Sequence, residues 1–350
     1  MKKTVAVAMS GGVDSSYAII KLKEEGYNVF GVTLKLFGDI PYSPKASCSM
    51  KAIKDARNIC TSLEVPHRVI NVEKVFQEKV VDYFVNSYKK GFTPNPCVIC
   101  NSTVKWGSLS EKVFSYGADF FATGHYARVY YSEKRKKHLL SCGLDKSKDQ
   151  SYYLWALTEE QLSKTLFPLG DMQKEEVKIR VKNYNLKLSE KPESQEICFI
   201  PDNDYRNFLK NKFKIEPGNI INSSGEIIGH HEGFPFYTIG QRRGLGISFS
   251  ERLYVNSIDP IKNEIKLGTF DELYRKELLF TKANFIYIPE ENSILKARIR
   301  YRGKLQPCKL KNLKNGRFRL NFVEPLWGVC PGQSVVIYDD YNVVGGGIII

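Results

Sequence analysis

No run of apolar residues in this chain is long enough to cross a bilayer. Nor does it start with the hydrophobic segment of a secretory signal, because the short apolar stretch Thr4–Met9 leads straight into glycines. Membrane insertion and export are disfavoured, and a cytoplasmic protein is expected. Internal repeats and low-complexity linkers are missing, so domain boundaries must be read from changes of texture along the sequence. A kinase-type G-x-x-x-x-G-K-[ST] loop is absent, which leaves no loop lysine to follow a migrating γ-phosphate. A second C-x-x-C is absent as well, which weakens a closed structural zinc site. Eight cysteines are scattered without regular spacing. In a chain with no secretory signal they point to reduced, reactive or metal-binding thiols rather than a disulfide framework.

The most informative stretch that is present lies near the start. The strand-like Thr4-Val5-Ala6-Val7-Ala8-Met9 runs into Ser10-Gly11-Gly12-Val13-Asp14-Ser15-Ser16, and a helical pattern follows. Glycines let backbone N–H groups approach an anion, and the free amides and dipole of a helix start favour negative charge. A polyphosphate site without the kinase lysine points to chemistry in which pyrophosphate leaves and AMP goes to the substrate. An ordinary βα turn is the bland alternative, and the full S-G-G-V-D-S string in this setting argues against it.

At 350 residues the chain calls for two or three domains. Its first two hundred residues alternate strand and helix. Helices are predicted over 16–25, 48–63 and 75–89, and strands over 29–34, 66–72 and 119–124. Such alternation predicts an α/β fold with a doubly wound, mainly parallel sheet, whose ligands sit beyond the carboxyl ends of the strands. The Gly-Gly loop, Leu34 and Gly124-His125 all fall at such ends. After Pro201 the texture changes, with a short helix over 205–212 and then turn-punctuated strands. From about Lys276 the pattern is all-β, with strands such as 318–323 and 334–338, and fits a small barrel or sandwich. The expected division is 1–201, 202–273 and 274–350.

Net charge is +14 and unevenly spread. From Tyr274 to the end there are thirteen Lys and Arg against six Asp and Glu, so under a quarter of the chain holds half the excess. Ten basic residues and no acidic one lie between Lys296 and Arg319. Within Lys296–Arg302 the charges fall at every second position, which on one strand places them on one face. A solvated edge strand would also carry charge; a stripe of one sign favours a polyanion such as nucleic acid.

Asn95-Pro96-Cys97-Val98-Ile99-Cys100-Asn101 sets two thiols behind a rigid proline, and Cys198 adds a third within Ile197-Cys198-Phe199-Ile200. By default a C-x-x-C is half a zinc site or a redox pair, and Cys198 a small core residue. A thiol serves as nucleophile or sulfur carrier only when a positive or hydrogen-bonding environment favours the thiolate.

Taken in order, Ser10–Ser16, Asn95–Asn101, Ala122–Arg128, Lys148–Tyr152, Ile197–Ile200, Tyr237–Gly246 and Arg300–Arg302 closely resemble the bacterial tRNA-specific 2-thiouridylases, over essentially the whole length. The resemblance implies a pyrophosphatase-loop domain, a small central domain and a C-terminal β-barrel that helps hold tRNA. It implies that Ala8, Met9, Ser10, Gly11, Gly12, Val13, Asp14 and Ser15, with Leu34 and Gly124, bind ATP, with Mg²⁺ offsetting charge on the pyrophosphate. Cys198 would carry a persulfide sulfur received from a donor protein, and Cys100 would be its partner, the nucleophile or resolving thiol. Asn95, Pro96 and Cys97 would lie against the target base. His125, Lys148, Asp149, Gln150, Arg300, Tyr301 and Gln333 would contact tRNA. Some relatives have aspartate where this chain has Cys97. Here Cys97, Cys100 and Cys198 could instead hold a [4Fe-4S] cluster with one open iron. Two rivals remain at this level. An amidating ligase acting on a small molecule would need neither the basic β-domain nor the thiols, and a non-catalytic RNA-binding protein would tolerate loss of both cysteines.

Overall fold

The structure is a computed structural model that describes residues 2–36, 50–184, 197–247, 251–290 and 293–350. Two compact units emerge. The first comprises Met1–Val81, Cys97–Asn203 and Tyr341–Val343, and the second Asp82–Pro96, Asp204–Asp340 and Val344–Ile350.

In the first unit the strands are β1 (Thr4–Ala8), β2 (Asn28–Lys35), β3 (His67–Asn71), β4 (Phe120–Ala122), the hairpin β5 (Ala127–Ser132) and β6 (Lys137–Cys142), and β7 (Thr165–Leu166). A five-stranded sheet runs β3-β2-β1-β4-β7, with every pairing parallel. Its order reverses between β1 and β4, where Val7 pairs with Ala122. Crevices that take ligands in such sheets open beyond the strand ends at that reversal. The Gly-Gly loop after β1 and Gly124 after β4 both lie there, as the alternation of elements predicts.

Helix Val13–Glu24 buries Ser15–Ile20 and Leu22 and shares a core with Val5 and Val7 of β1 and with Val177 and Val181 of the helix Lys174–Lys182. Fully burying side chains of this size contributes about 1.5–3 kcal/mol each, so the helix is anchored where it starts. It starts three residues before the predicted Ser16. Gly12 is extended (φ −103°, ψ 169°), and the helical turn begins directly after it. Val13, Asp14 and Ser15 therefore make the first turn. The helix predicted over 48–63 runs Met50–Ser62; Cys48 and Ser49 lie outside the described residues. The hairpin β5–β6 is not among the predicted elements. Its tip is a run of charges (Glu133–Lys137), which masks the alternation of the two strands.

In the second unit, β8 (Gly218–Ile221), β9 (Ile227–His231), β10 (Tyr254–Asp259) and β11 (Glu264–Gly268) form a four-stranded sheet in the order β10-β11-β8-β9. Six further strands follow: β12 (Tyr274–Phe285), β13 (Leu295–Arg298), β14 (Gln306–Asn312), β15 (Phe318–Trp327), β16 (Ser334–Asp339) and β17 (Asn342–Ile349). They run β12-β15-β14-β13-β16-β17, and β12 pairs back onto β17, so the sheet closes into a barrel. Closure removes the exposed edges that an open sheet would present. The fold class is thus the expected one.

One predicted element needs correction. The basic stripe Lys296–Arg302 is not a single strand, because β13 ends at Arg298 and the chain turns, with Gly303 N–H donating to Arg300 O at 2.9 Å. Leu295, Ala297 and Ile299 are buried, as the alternation requires. The arginines do not form one outward face.

Candidate active site

The loop after β1 is held from both sides. Met9 N–H extends the β1–β2 ladder onto Val32 O at 2.7 Å, and Thr33 Oγ1 donates to Met9 O at 2.9 Å. Across the turn, Ser10 N–H donates to Ser15 Oγ at 3.2 Å, while Ser15 Oγ donates to Gly12 O at 3.1 Å. Gly11 has φ +70°, and a Cβ there would meet Ala52 O and Asp55 Cβ at 2.9 Å. At Gly124 a Cβ would come within 2.9 Å of the Asp14 carbonyl carbon and 3.0 Å of Ser15 N. Gly12 differs: its added Cβ would find only Ser10 Oγ, at 3.5 Å. Gly11 and Gly124 are thus required by the packing of the loop, whereas Gly12 keeps space open beside the helix start. The first amides of a helix have no partner within it, and the dipole adds partial positive charge. Together these features suit a polyphosphate.

Asp14 does not point freely into that space. Lys174 Nζ lies 2.6 and 2.7 Å from its two carboxylate oxygens, and Tyr126 hydroxyl donates to Oδ1 at 2.9 Å. Only 6% of the Lys174 side chain is exposed, against 33% of Asp14.

Among the described cysteines, Cys60, Cys142, Cys308 and Cys330 are buried. Burial pushes the Cys60 and Cys308 thiols up to about 12, which makes them inert. Three described thiols are accessible, Cys97, Cys100 and Cys198, the same three that the motifs single out. Pro96 opens a helical segment whose turns widen over Cys100–Leu109, and Cys97 and Cys100 stand three residues apart on it. Cys97 is exposed, yet the protein around it raises its pKa, with Lys105 pulling the other way. Cys198 sits on the turn Ile197–Ile200, fixed by Phe199, which is buried edge-on against Phe76.

His125 lies between Trp106 and Phe167, with ring centroids at 5.7 and 6.1 Å, and its Nδ1 is 2.7 Å from Thr123 Oγ1. Desolvation first, and then Lys105, hold its pKa well below the usual imidazole value, so the ring is neutral. Unfolded, it takes a proton near 6.5. The unfolded chain therefore binds more protons as pH falls below that value. Stability contributed by the neutral ring is complete above it and is lost toward the depressed folded pKa. His125→Asn is expected to flatten the fall of melting temperature between about pH 7 and 5; an unchanged slope contradicts the assignment.

Other residues expected at RNA turn inward. Asp149 is buried, its Oδ1 accepting from Gly143 N–H and Ser151 N–H at 3.1 Å and its Oδ2 from Ser151 Oγ at 3.0 Å. Gln150 Oε1 accepts from Tyr126 N–H at 3.0 Å. Arg300 Nη2 donates to Gly328 O at 2.8 Å and to Ile239 O at 3.3 Å. Gln333 Nε2 donates to Thr93 O at 2.9 Å, and Thr93 N–H to Pro331 O at 2.9 Å, which fixes the backbone just before Asn95. Each of these groups orders a loop. Lys148 and Tyr301 are half-buried, and the exposed charge of the basic region lies on Lys296, Arg302, Lys304, Lys309, Lys311, Lys314 and Arg317.

Three family profiles cover the chain: the tRNA methyl transferase HUP domain over 3–202, the tRNA methyl transferase PRC-barrel domain over 206–269 and the aminomethyltransferase beta-barrel domain over 275–349. Relatives match from end to end. The tRNA-specific 2-thiouridylase MnmA 2 of Thermoanaerobacter sp. (strain X514) is 46% identical over 99% of this chain and 97% of its own. The tRNA-specific 2-thiouridylase MnmA of Clostridioides difficile (strain 630) is 43% identical over 100% and 98%. The chain belongs to the tRNA-specific 2-thiouridylase family. By that membership it is an enzyme of tRNA modification. A solved complex of a 4-thiouridine synthetase with RNA and bound ATP aligns over 60% of this chain and 50% of its own, at 17% identity and a TM-score of 0.36, a likeness too partial to support more.

Among the described residues no group of three or more His, Cys, Asp or Glu side chains is placed to hold a metal ion. Also among the described residues, no helix is long and apolar enough to cross a membrane. Sequence reading missed Lys174 and the Tyr126 hydroxyl. The one available signal was a lysine at the first position of a helix that continues Glu175-Glu176, where acidic residues are the norm.

Proposed function

We propose that this chain thiolates the wobble uridine of tRNA at C2, activating the base with ATP and drawing sulfur from a cysteine persulfide. The Ser10–Ser15 loop would cradle the phosphates, Leu34 and Gly124 would flank the nucleotide, and Mg²⁺ would enter with the triphosphate. The uridine O2 attacks the α-phosphate, pyrophosphate departs, and the base carries AMP. A target base must leave its stack to reach such a site, and an anticodon loop offers unstacked bases.

Sulfur would arrive as a persulfide on Cys198 from a donor protein. Its terminal sulfur attacks C2 and expels AMP, leaving a disulfide link between base and Cys198. The Cys100 thiolate then attacks the Cys198 sulfur, releasing the thiouridine and forming a Cys100–Cys198 disulfide. An external dithiol reduces that disulfide and takes up the two oxidising equivalents. The observation that carries this reading is the accessibility of Cys97, Cys100 and Cys198 beside four buried thiols, on a chain with an adenylating-type phosphate loop. The small-molecule ligase has no use for that pattern.

Assignment of tRNA to the barrel strand rests on exposed charge. Lys309→Ala and Lys311→Ala on β14, combined with Lys304→Ala, are expected to weaken tRNA binding. The log–log salt slope should fall by about 1 for each phosphate that the variant no longer neutralises, with ATP affinity unchanged. An unchanged salt slope in filter binding would show those lysines to be ordinary solvated surface.

A further inference from the structure

Lys174 is the first residue of the helix Lys174–Lys182. The positive end of a helix dipole disfavours a cation there, and this side chain is also nearly buried. A buried ammonium persists only when it is paired and hydrogen-bonded. Both oxygens of Asp14 pair with it at 2.6 and 2.7 Å, and the face of Tyr126 lies 5.7 Å away. Tyr126 hydroxyl binds the same carboxylate. Asp14 sits in the first turn of the helix Val13–Glu24, so its carboxylate fixes the backbone that presents the phosphate-facing amides.

The two groups that grip Asp14 are themselves gripped by one loop. Asp145 Oδ2 accepts from Lys174 N–H at 3.0 Å, and its Oδ1 accepts from Ser147 N–H and Oγ at 3.0 and 2.6 Å. Five residues on, Gln150 N–H donates to Tyr126 O at 2.8 Å and Gln150 Oε1 accepts from Tyr126 N–H at 3.0 Å. The segment 145–150 is therefore joined to the phosphate loop by two arms, Asp145–Lys174–Asp14 and Gln150–Tyr126–Asp14. Lys148, between the two arms, is among the groups read as RNA-facing.

We propose that Lys174 is a positioning residue that, with Tyr126, sets the phosphate loop through Asp14 and makes ATP activation respond to RNA held at the segment 145–150. This rests on the thiolation reading. Hydrogen bonds chained in low dielectric polarise and strengthen one another, so a change at Asp145 or Gln150 alters how firmly Lys174 and Tyr126 hold Asp14.

The test is the ratio of AMP formation with and without tRNA, in the full-length protein, for Lys174→Met, Lys174→Arg and Tyr126→Phe. Lys174→Met keeps the aliphatic stem and leaves the part-exposed Asp14 to water. It is expected to lower kcat for tRNA-stimulated AMP formation by roughly 100-fold with tRNA Kd within about twofold, and to bring the ratio close to one. Lys174→Arg, which keeps the charge, should recover most of the ratio. Tyr126→Phe removes only a hydroxyl; it should reduce the ratio by about tenfold, and it decides the question should the lysine variant not fold. A wild-type ratio in folded Lys174→Met or Tyr126→Phe overturns the proposal. Wild-type protein that forms no AMP with tRNA would instead overturn the thiolation reading itself, so the two failures are distinct.

Discussion

Cys198→Ser is expected to deliver no sulfur to tRNA while still binding tRNA and ATP and forming adenylated tRNA. Serine cannot carry a persulfide, so the loss should be several orders of magnitude, on the scale of about 10⁶-fold seen when an enzyme loses its nucleophile. Cys100→Ser should be comparably inactive by a different route, accumulating tRNA linked through sulfur to Cys198. Both side chains are half-buried and serine is nearly isosteric with cysteine, so melting temperatures should hardly move. Cys97→Ser separates the two sulfur routes. The persulfide route retains activity in air without Cys97, whereas a cluster would lose a ligand. Mass spectrometry of the trapped intermediates reads all three variants. Full thiolation by Cys198→Ser would remove the persulfide assignment.

Gly12→Val is expected to lower ATP consumption by about 100- to 1000-fold, the cost of losing preorganised donors at a phosphate, in a protein that still folds. The fold tolerates the change because Gly12 has ordinary extended dihedrals and an added Cβ meets only Ser10 Oγ at 3.5 Å. Folding stability should fall by no more than about 1 kcal/mol, the range of a helix-capping change. Gly11→Val and Gly124→Val are poorer probes, since each drives a Cβ to about 2.9 Å from a neighbour and should unfold the loop with the site. Asp14→Ala has the same defect, because it removes the carboxylate that both holds the first turn and pairs with the nearly buried Lys174 ammonium, so it would disturb folding along with the site. Pyrophosphate exchange at the wild-type rate in Gly12→Val would remove the phosphate-loop assignment.

How much of this was legible in the sequence depended on the range of each interaction. The Gly-Gly loop and its setting could be read because its requirements are local: a strand, two glycines and a helix start within about a dozen residues. The parallel sheet followed from alternation, and its order put Gly124 beside the loop. The thiols could be read by motif, but three cysteines along a chain do not reveal whether they gather, and here they make no metal-binding group among the described residues. Asp149 and Arg300, tRNA contacts by resemblance, each hold nearby loops by hydrogen bonds: Asp149 to Gly143 N–H and to Ser151, and Arg300 to Gly328 O. Lys174 was invisible, since its partner Asp14 lies 160 residues away and nothing local marks the pair.

The central claim is tested most directly by incubating the purified protein with unmodified tRNA, ATP and a protein persulfide donor, then digesting the tRNA and analysing its nucleosides by mass spectrometry. The account predicts 2-thiouridine at the wobble position, dependent on ATP and on both Cys100 and Cys198, with AMP and pyrophosphate released. Wobble uridine left unchanged while ATP is consumed, or thiolation that survives loss of both cysteines, would contradict it.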